Sequence, residues 1–144
     1  MDTPLSVLLK DKGYDIRSIS PKQTVFECAV MMTELKIGAL VVMENDRLTG
    51  IISERDVLRK LVVTGDDPKK VLVEKLMTKD LVTVTATTTV REAMHIVTEK
   101  RIRHLPVLEE GKLIGVISIG DLTKWAMQLQ ELQISSLTKY IHGS

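Results

Sequence analysis

Apolar positions along the chain switch repeatedly between helical and strand spacing. Leu5, Leu8 and Leu9 follow Pro4 at helical intervals and stop at Gly13, which predicts a short amphipathic helix within residues 2–14, capped by Asp2 or Thr3 with Pro4 in its first turn. Ser18-Ile19-Ser20 predicts a brief strand ahead of Pro21, and Thr24 opens a helix to about Lys36 with Val25, Cys28, Ala29 and Met32 on it. Ala39 to Met43 and Arg47 to Ile52 are apolar, largely β-branched runs parted by Glu44-Asn45-Asp46, the pattern of an antiparallel hairpin. After Ser53, Val57, Leu58 and Leu61 predict a helix ending near Thr64-Gly65. The order is β-α-β-β-α.

The same order then returns. Asp66-Asp67-Pro68 predicts a helix start leading through Val71 and Leu72 to Leu76, with too little Gly and Ser for a flexible tether. A strand over Val82 to Thr85, a helix over Val90 to Lys100, a hairpin through Glu109-Glu110-Gly111 and a helix from Ile119 follow. The recurrence is also literal. Gly50-Ile51-Ile52-Ser53-Glu54-Arg55-Asp56 comes back as Gly115-Val116-Ile117-Ser118-Ile119-Gly120-Asp121, an offset of 121 − 56 = 65 residues. Carried backwards without a gap, that offset places Asp15 on Asp80, Thr24-Val25 on Thr89-Val90, Glu27 on Glu92, Thr33-Glu34 on Thr98-Glu99 and Ile37 on Ile102. Roughly a third of the aligned positions are identical, the signature of a tandem repeat. The expected division is an N-terminal helix (1–14), repeat 1 (15–65), an inter-repeat helix (66–79), repeat 2 (80–126) and a C-terminal helical extension (127–144). Neither half can bury both faces of its sheet alone, so an α/β (α+β) fold with the repeats packed about a pseudo-twofold axis is expected. Leu129, Leu132, Leu137 and Ile141 continue the apolar spacing into the extension as a seam that needs a partner surface.

Each repeat ends its hairpin on Ser-x-x-Asp at the start of a helix, and two readings are open. In one, Ser53 and Ser118 are N-caps with Asp56 and Asp121 completing a capping box, although that box prefers Glu or Gln and Asp is a methylene shorter. In the other, the helix N-terminus holds an anion while the carboxylate accepts from two adjacent hydroxyls, as in a ribose diol. A phosphate and a ribose together make a nucleotide.

The duplicated motif, preceded by Ile37-Gly38-Ala39-Leu40-Val41-Val42 and Ile102-Arg103-His104-Leu105-Pro106-Val107, resembles a cystathionine-β-synthase (CBS) domain pair, or Bateman module, over about residues 15–126. The resemblance extends to small bacterial proteins made of one such pair. It implies adenosyl-ligand binding between the repeats with regulation as the outcome. It assigns Asp56 and Asp121 to ribose hydroxyls, Ser53 and Ser118 to ribose or phosphate, and Ile37-Gly38-Ala39 and Ile102-Arg103-His104 to the adenine or phosphate side. Arg55 answers to Gly120, and Gly38-Ala39 to Arg103-His104, so the two sites are not equivalent. Arg101, Arg103 and His104 form a basic group suited to a phosphate, which favours AMP, ATP or NAD(H) over S-adenosylmethionine.

Composition narrows the alternatives. The 144 residues are 44% hydrophobic and 27% charged with a net charge of +1, which gives a buried core but no electrostatic footprint for DNA, RNA or an anionic membrane. The longest apolar run, Ala39 to Met43, is far too short to span a bilayer, and Met1-Asp2-Thr3-Pro4 has no basic leader, so a cytoplasmic location is expected. The single Cys28 reads as a buried hydrophobe, and Met31, Met32 and Met94 read as core. The chain has no Gly-x-Ser-x-Gly elbow and no Gly-rich phosphate loop, and His95, His104 and His142 lack metal-ligand spacing, so neither catalysis nor a metal is expected. Two classes remain: a nucleotide-sensing regulatory module acting in trans or through a homodimer, and a structural dimerisation protein whose motifs are helix caps alone.

Overall fold

A computed structural model describes residues 2–141. Its elements run α1 (Leu5–Lys12), β1 (Ser18–Ile19), α2 (Val25–Leu35), β2 (Ala39–Glu44), β3 (Arg47–Ser53), α3 (Glu54–Asp56) continuing as a π-helical segment (Val57–Val62), α4 (Val73–Leu76), β4 (Val84–Thr85), α5 (Val90–Lys100), β5 (His104–Glu109), β6 (Lys112–Ser118) and α6 (Ile119–Ile141). They make a mixed α/β chain with two three-stranded sheets, ordered β1-β2-β3 and β4-β5-β6. Two compact units result. One comprises residues 15–83 with the hairpin tip 110–113; the other takes the N-terminal residues up to Tyr14, then 84–109 and the chain from Ile114.

In the first unit β1 pairs parallel with β2, and β2 antiparallel with β3. Asn45 and Asp46 turn that hairpin with φ of 52° and 63°, a left-handed pair whose twist suits a two-residue loop. Thr24 caps α2 by accepting the Glu27 N–H at 3.1 Å, and Lys36 ends it in the left-handed region. The helix lays Val25, Cys28 and Met32 against Leu40, Val42 and Ile52 of the sheet, with Ile19, Leu61, Val73 and Leu76 closing the core. Full burial of each such aliphatic side chain contributes about 1.5–3 kcal/mol. Burial pushes the Cys28 thiol up to about 11, with the nearby Asp56 charge adding to it, so this cysteine packs as a hydrophobe.

The second unit repeats the plan. Thr89 caps α5 through the Glu92 N–H at 3.1 Å, and Arg101 ends it with φ 55° as Lys36 does α2 with φ 56°. The strand register advances by the same 65 residues: Ile19 lies opposite Val42, and Val84 opposite Val107. Val90, Ala93, Val97, Leu105, Val107, Ile117 and Leu122 are buried here together with Leu5, Leu8 and Leu9 of α1.

Helix α1 is tied to this unit by backbone: Leu5 N–H donates to Thr88 O at 2.8 Å, Ser6 N–H to Ala86 O at 3.0 Å, and Val90 N–H to Thr3 O at 2.8 Å. The cap therefore differs from expectation. Pro4 occupies the N-cap without a side-chain bond, the Thr3 carbonyl is taken by Val90, and Asp2 pairs with Arg91 at 3.4 Å.

Two other sequence expectations are corrected, and a third holds with a change of helix type. The inter-repeat helix does not start at Asp66-Asp67-Pro68. The carbonyls of Pro68 and Val71 accept the Phe26 and Val25 N–H groups, which holds residues 68–70 as a turn with Leu72 bridged to Thr24 and leaves helix only over Val73–Leu76. The strand expected from Val82 begins at Val84. In the first repeat Val41 N–H donates to Arg17 O at 3.2 Å, but its counterpart Pro106 has no N–H to offer Val82. The helix after Ser53 is π-helical over Val57–Val62, which the apolar spacing does not distinguish from an α-helix. His142 and residues 142–144 of the expected extension lie outside the described residues.

Candidate functional site

Each unit carries one Ser-x-x-Asp motif at the end of its hairpin. In the first, Ser53 Oγ accepts the Asp56 N–H at 3.2 Å, while Asp56 Oδ2 accepts from Ser53 N at 2.9 Å and Ser53 Oγ at 3.0 Å. In the second, Ser118 Oγ accepts the Asp121 N–H at 3.1 Å and Asp121 Oδ2 accepts from Ser118 N at 2.8 Å. Both are reciprocal capping boxes, so the shorter Asp side chain does reach back; the objection drawn from its length is overturned. The bond geometry needs only that the serine be extended and the acid stand three residues on, as at Ser53 with φ −118° and ψ 163°.

The residues before each hairpin come to the same place. Gly38 O accepts the Glu54 N–H at 3.0 Å and Arg103 O accepts the Ile119 N–H at 2.8 Å, so both segments lie against the start of the motif helix. Ala39 faces Ser53 in register on the neighbouring strand. A Cβ on Gly38 would fall 2.8 Å from Glu54 Oε1, the mobile end of a side chain on the motif helix. Ile37 packs against the first core, and Ile102 is half-buried with its N–H on Val97 O at 3.2 Å. Arg55 and Arg103 are exposed, and His104 is half-buried at the head of β5. In each unit, therefore, the segment ahead of the hairpin is joined by backbone to the start of the motif helix, through Gly38 in the first and Arg103 in the second.

The surroundings of the two carboxylates differ. Asp56 Oδ1 faces Thr78 Oγ1 at 3.3 Å and Lys60 Nζ at 3.3 Å, and Lys60 also donates to Leu76 O at 2.9 Å. Thr78 is held there by a bridge to Ile51, with N–H to O distances of 2.8 and 3.0 Å in the two directions. That bridge requires Gly50: a Cβ there would stand 2.9 Å from the Thr78 carbonyl. With both of its oxygens engaged and its side chain 13% exposed, Asp56 is enclosed.

Asp121 is 26% exposed and meets Lys12 instead, Nζ to Oδ2 at 2.7 Å, while Lys12 also donates to Val116 O at 2.8 Å. Burial raises the Asp121 carboxyl, but the Lys12 ammonium and the Ser118 N–H outweigh it and hold the group below the usual carboxylate range. Oδ1 carries no hydrogen bond among the described residues. Lys12 is brought in by α1, whose Leu9 sits so close that a Cβ on Gly115 would lie 2.6 Å from Leu9 Cδ2.

Sequence reasoning missed Lys12, Thr78 and Lys60. Lys60 was available as an i,i+4 partner of Asp56. For the other two the signal was the duplicated Gly50 and Gly115, which announce a chain passing close over the hairpin, and the offset, since Lys12 plus 65 falls beside Thr78.

With this geometry established, likeness to known proteins settles the family. The CBS domain model matches residues 12–63 and again 73–128. The chain belongs to the CBS-domain family. Among its relatives, the CBS domain-containing protein CBSX3, mitochondrial, of Arabidopsis thaliana is 37% identical over 150 residues, covering 98% of this chain and 73% of that one. The structure of a CBS-domain protein from Burkholderia ambifaria MC40-6, which carries a provisional signal-transduction description, is 40% identical with a TM-score of 0.85 over 88% of this chain and 95% of its own. The hexameric CBS-CP12 protein of bloom-forming cyanobacteria is 28% identical with a TM-score of 0.75 over 85% and 67%. CBS pairs are regulatory or signal-transduction modules, and this chain is one. Among the described residues no helix is long and apolar enough to cross a membrane, and no group of His, Cys, Asp and Glu is arranged to hold a metal.

Proposed function

We propose that the chain senses an adenosine nucleotide, AMP, ATP or NAD(H), and that the second motif is its main binding point. The observation that carries this is the contrast between the two carboxylates. Asp56 is saturated by Ser53, Thr78 and Lys60, whereas Asp121 is more open, keeps Oδ1 available for a ribose hydroxyl, and stands on a helix whose first N–H is anchored by the Arg103 carbonyl. Lys12 and Arg103 supply cationic groups to that unit, in keeping with a phosphorylated ligand over S-adenosylmethionine. The signal passes to a regulated partner or into self-association. The latter is favoured by the hexameric relative and by α6, on which Met127, Leu132, Ile134 and Leu137 are each more than half exposed.

Mass spectrometry of compounds released from the purified protein on denaturation, with melting temperatures taken across AMP, ATP, NADH and S-adenosylmethionine, tests the proposal. A rise with a phosphorylated adenosyl compound is expected. Silence across the panel, with nothing copurified, would instead support the second reading, a dimerisation protein whose two complete capping boxes do nothing but end strands and start helices.

A further inference from the structure

Lys12 does more than neutralise Asp121. A carboxylate oxygen has two lone pairs, and on Asp121 Oδ2 both are taken, one by the Ser118 N–H at 2.8 Å and one by the Lys12 ammonium at 2.7 Å. A vicinal diol grips a carboxylate best through both oxygens, so a bidentate ribose needs Lys12 to leave Oδ2. The lysine cannot drift away with its backbone, because α1 is fixed by the buried Leu5, Leu8 and Leu9 and by its bonds to Thr88 and Ala86. Its side chain must swing, losing the ion pair, and it is exposed enough at 41% to do so. An adenosine that displaces Lys12 leaves an ammonium with only the Val116 carbonyl. A ligand with a phosphate offers a new anion in exchange.

We infer that Lys12 is the specificity-determining residue of the second motif, holding Asp121 against neutral diols and releasing it to a ligand that brings its own negative charge. The inference rests on the adenosyl reading given above and adds the element that selects within that class. Asp56 is held differently: its lysine, Lys60, comes from its own helix and faces Oδ1 beside Thr78, and its Oδ2 is taken by Ser53 alone, so no residue from outside the motif sits on the oxygen that the serine caps.

Calorimetric titration of the full chain with AMP and with adenosine, in wild type, Lys12→Met and Lys12→Arg, tests it. In Lys12→Met the preference for AMP over adenosine should fall by about tenfold, the scale of one charge-assisted hydrogen bond, and adenosine should bind more tightly than it does to wild type. Lys12→Arg should keep most of the preference. An unchanged AMP-to-adenosine ratio in Lys12→Met, or equal weakening of both ligands, would overturn the inference while leaving the adenosyl reading intact. Wild type binding neither of these, nor ATP or NADH in the same titration, would remove both.

Discussion

Lys12 and Asp121 stand 109 residues apart in the chain and 2.7 Å apart in space. Thr78, next to the position that matches Lys12, reproduces the relation at shorter range, reaching Asp56 across 22 residues. In each case a residue outside the hairpin and its helix completes the environment of the motif acid, so the motif is not a self-contained loop.

Replacing the acids separates their roles. Asp121→Ala should weaken nucleotide binding at least tenfold, since charge-assisted bonds to a diol are lost. Asp56→Ala should cost less affinity and more stability, on the order of 1–3 kcal/mol, because the carboxylate is enclosed by Ser53, Thr78 and Lys60. Calorimetry and urea melts on both variants and the double mutant check this; unchanged affinity in all three would end the nucleotide reading.

Arg103→Ala should reduce affinity for AMP more than for adenosine, because only AMP presents a phosphate to the guanidinium fork. Unlike Lys12→Met, it should bring no gain for adenosine. Equal losses would mean that Arg103 orders the segment that anchors Ile119 and reads no phosphate.

Gly50→Ala tests the close pass of residues 77 and 78. The new methyl would sit 2.9 Å from the Thr78 carbonyl, which accepts the Ile51 N–H within a two-bond bridge, so the chain itself must move. A loss of about 1–3 kcal/mol in urea unfolding is expected, and a neutral result would show the Ile51–Thr78 bridge to be dispensable.

The acid limb of stability should report the Lys12–Asp121 pair. A carboxyl lowered in the folded state takes up its proton less readily than in the unfolded chain, so it adds stability above the ordinary aspartate range and loses it as pH falls through the folded value. Wild type should therefore exceed Lys12→Met by no more than about 1 kcal/mol at neutral pH, as both partners are partly exposed. Once the pH has fallen below the lowered folded-state value the gap should close. A gap that stays constant from neutral to acid pH would assign the effect to packing of the lysine stem.

Self-association is checked on the tail. Light scattering should give twice the chain mass, and truncation after Met127, or Ile134→Asp with Leu137→Asp, should move the protein toward monomer. A wild-type monomer at tens of micromolar would refute this.

Much of the fold was legible because the 65-residue offset let each repeat corroborate the other. Thr24 and Thr89, Lys36 and Arg101, and Val42 and Val107 play matched parts. Where expectation failed, backbone partners distant in sequence decided. Val25 and Phe26 claimed the carbonyls that an inter-repeat helix would have used, and the missing N–H of Pro106 shortened β4. The motif acids were found from sequence, but their partners were not. A repeat alignment pairs equivalent positions, whereas Lys12 and Thr78 precede one motif and serve the other.

That crossing of service gives the two repeats a reciprocal dependence. The stretch ahead of repeat 1 completes the motif of repeat 2, and the stretch ahead of repeat 2 completes the motif of repeat 1. A half-length chain with one leader and one repeat would leave its own acid unattended, and would satisfy it only by trading leaders with a twin. The tandem chain is in effect an exchanged dimer written on a single polypeptide, and cutting it at the linker should yield fragments that work only when recombined.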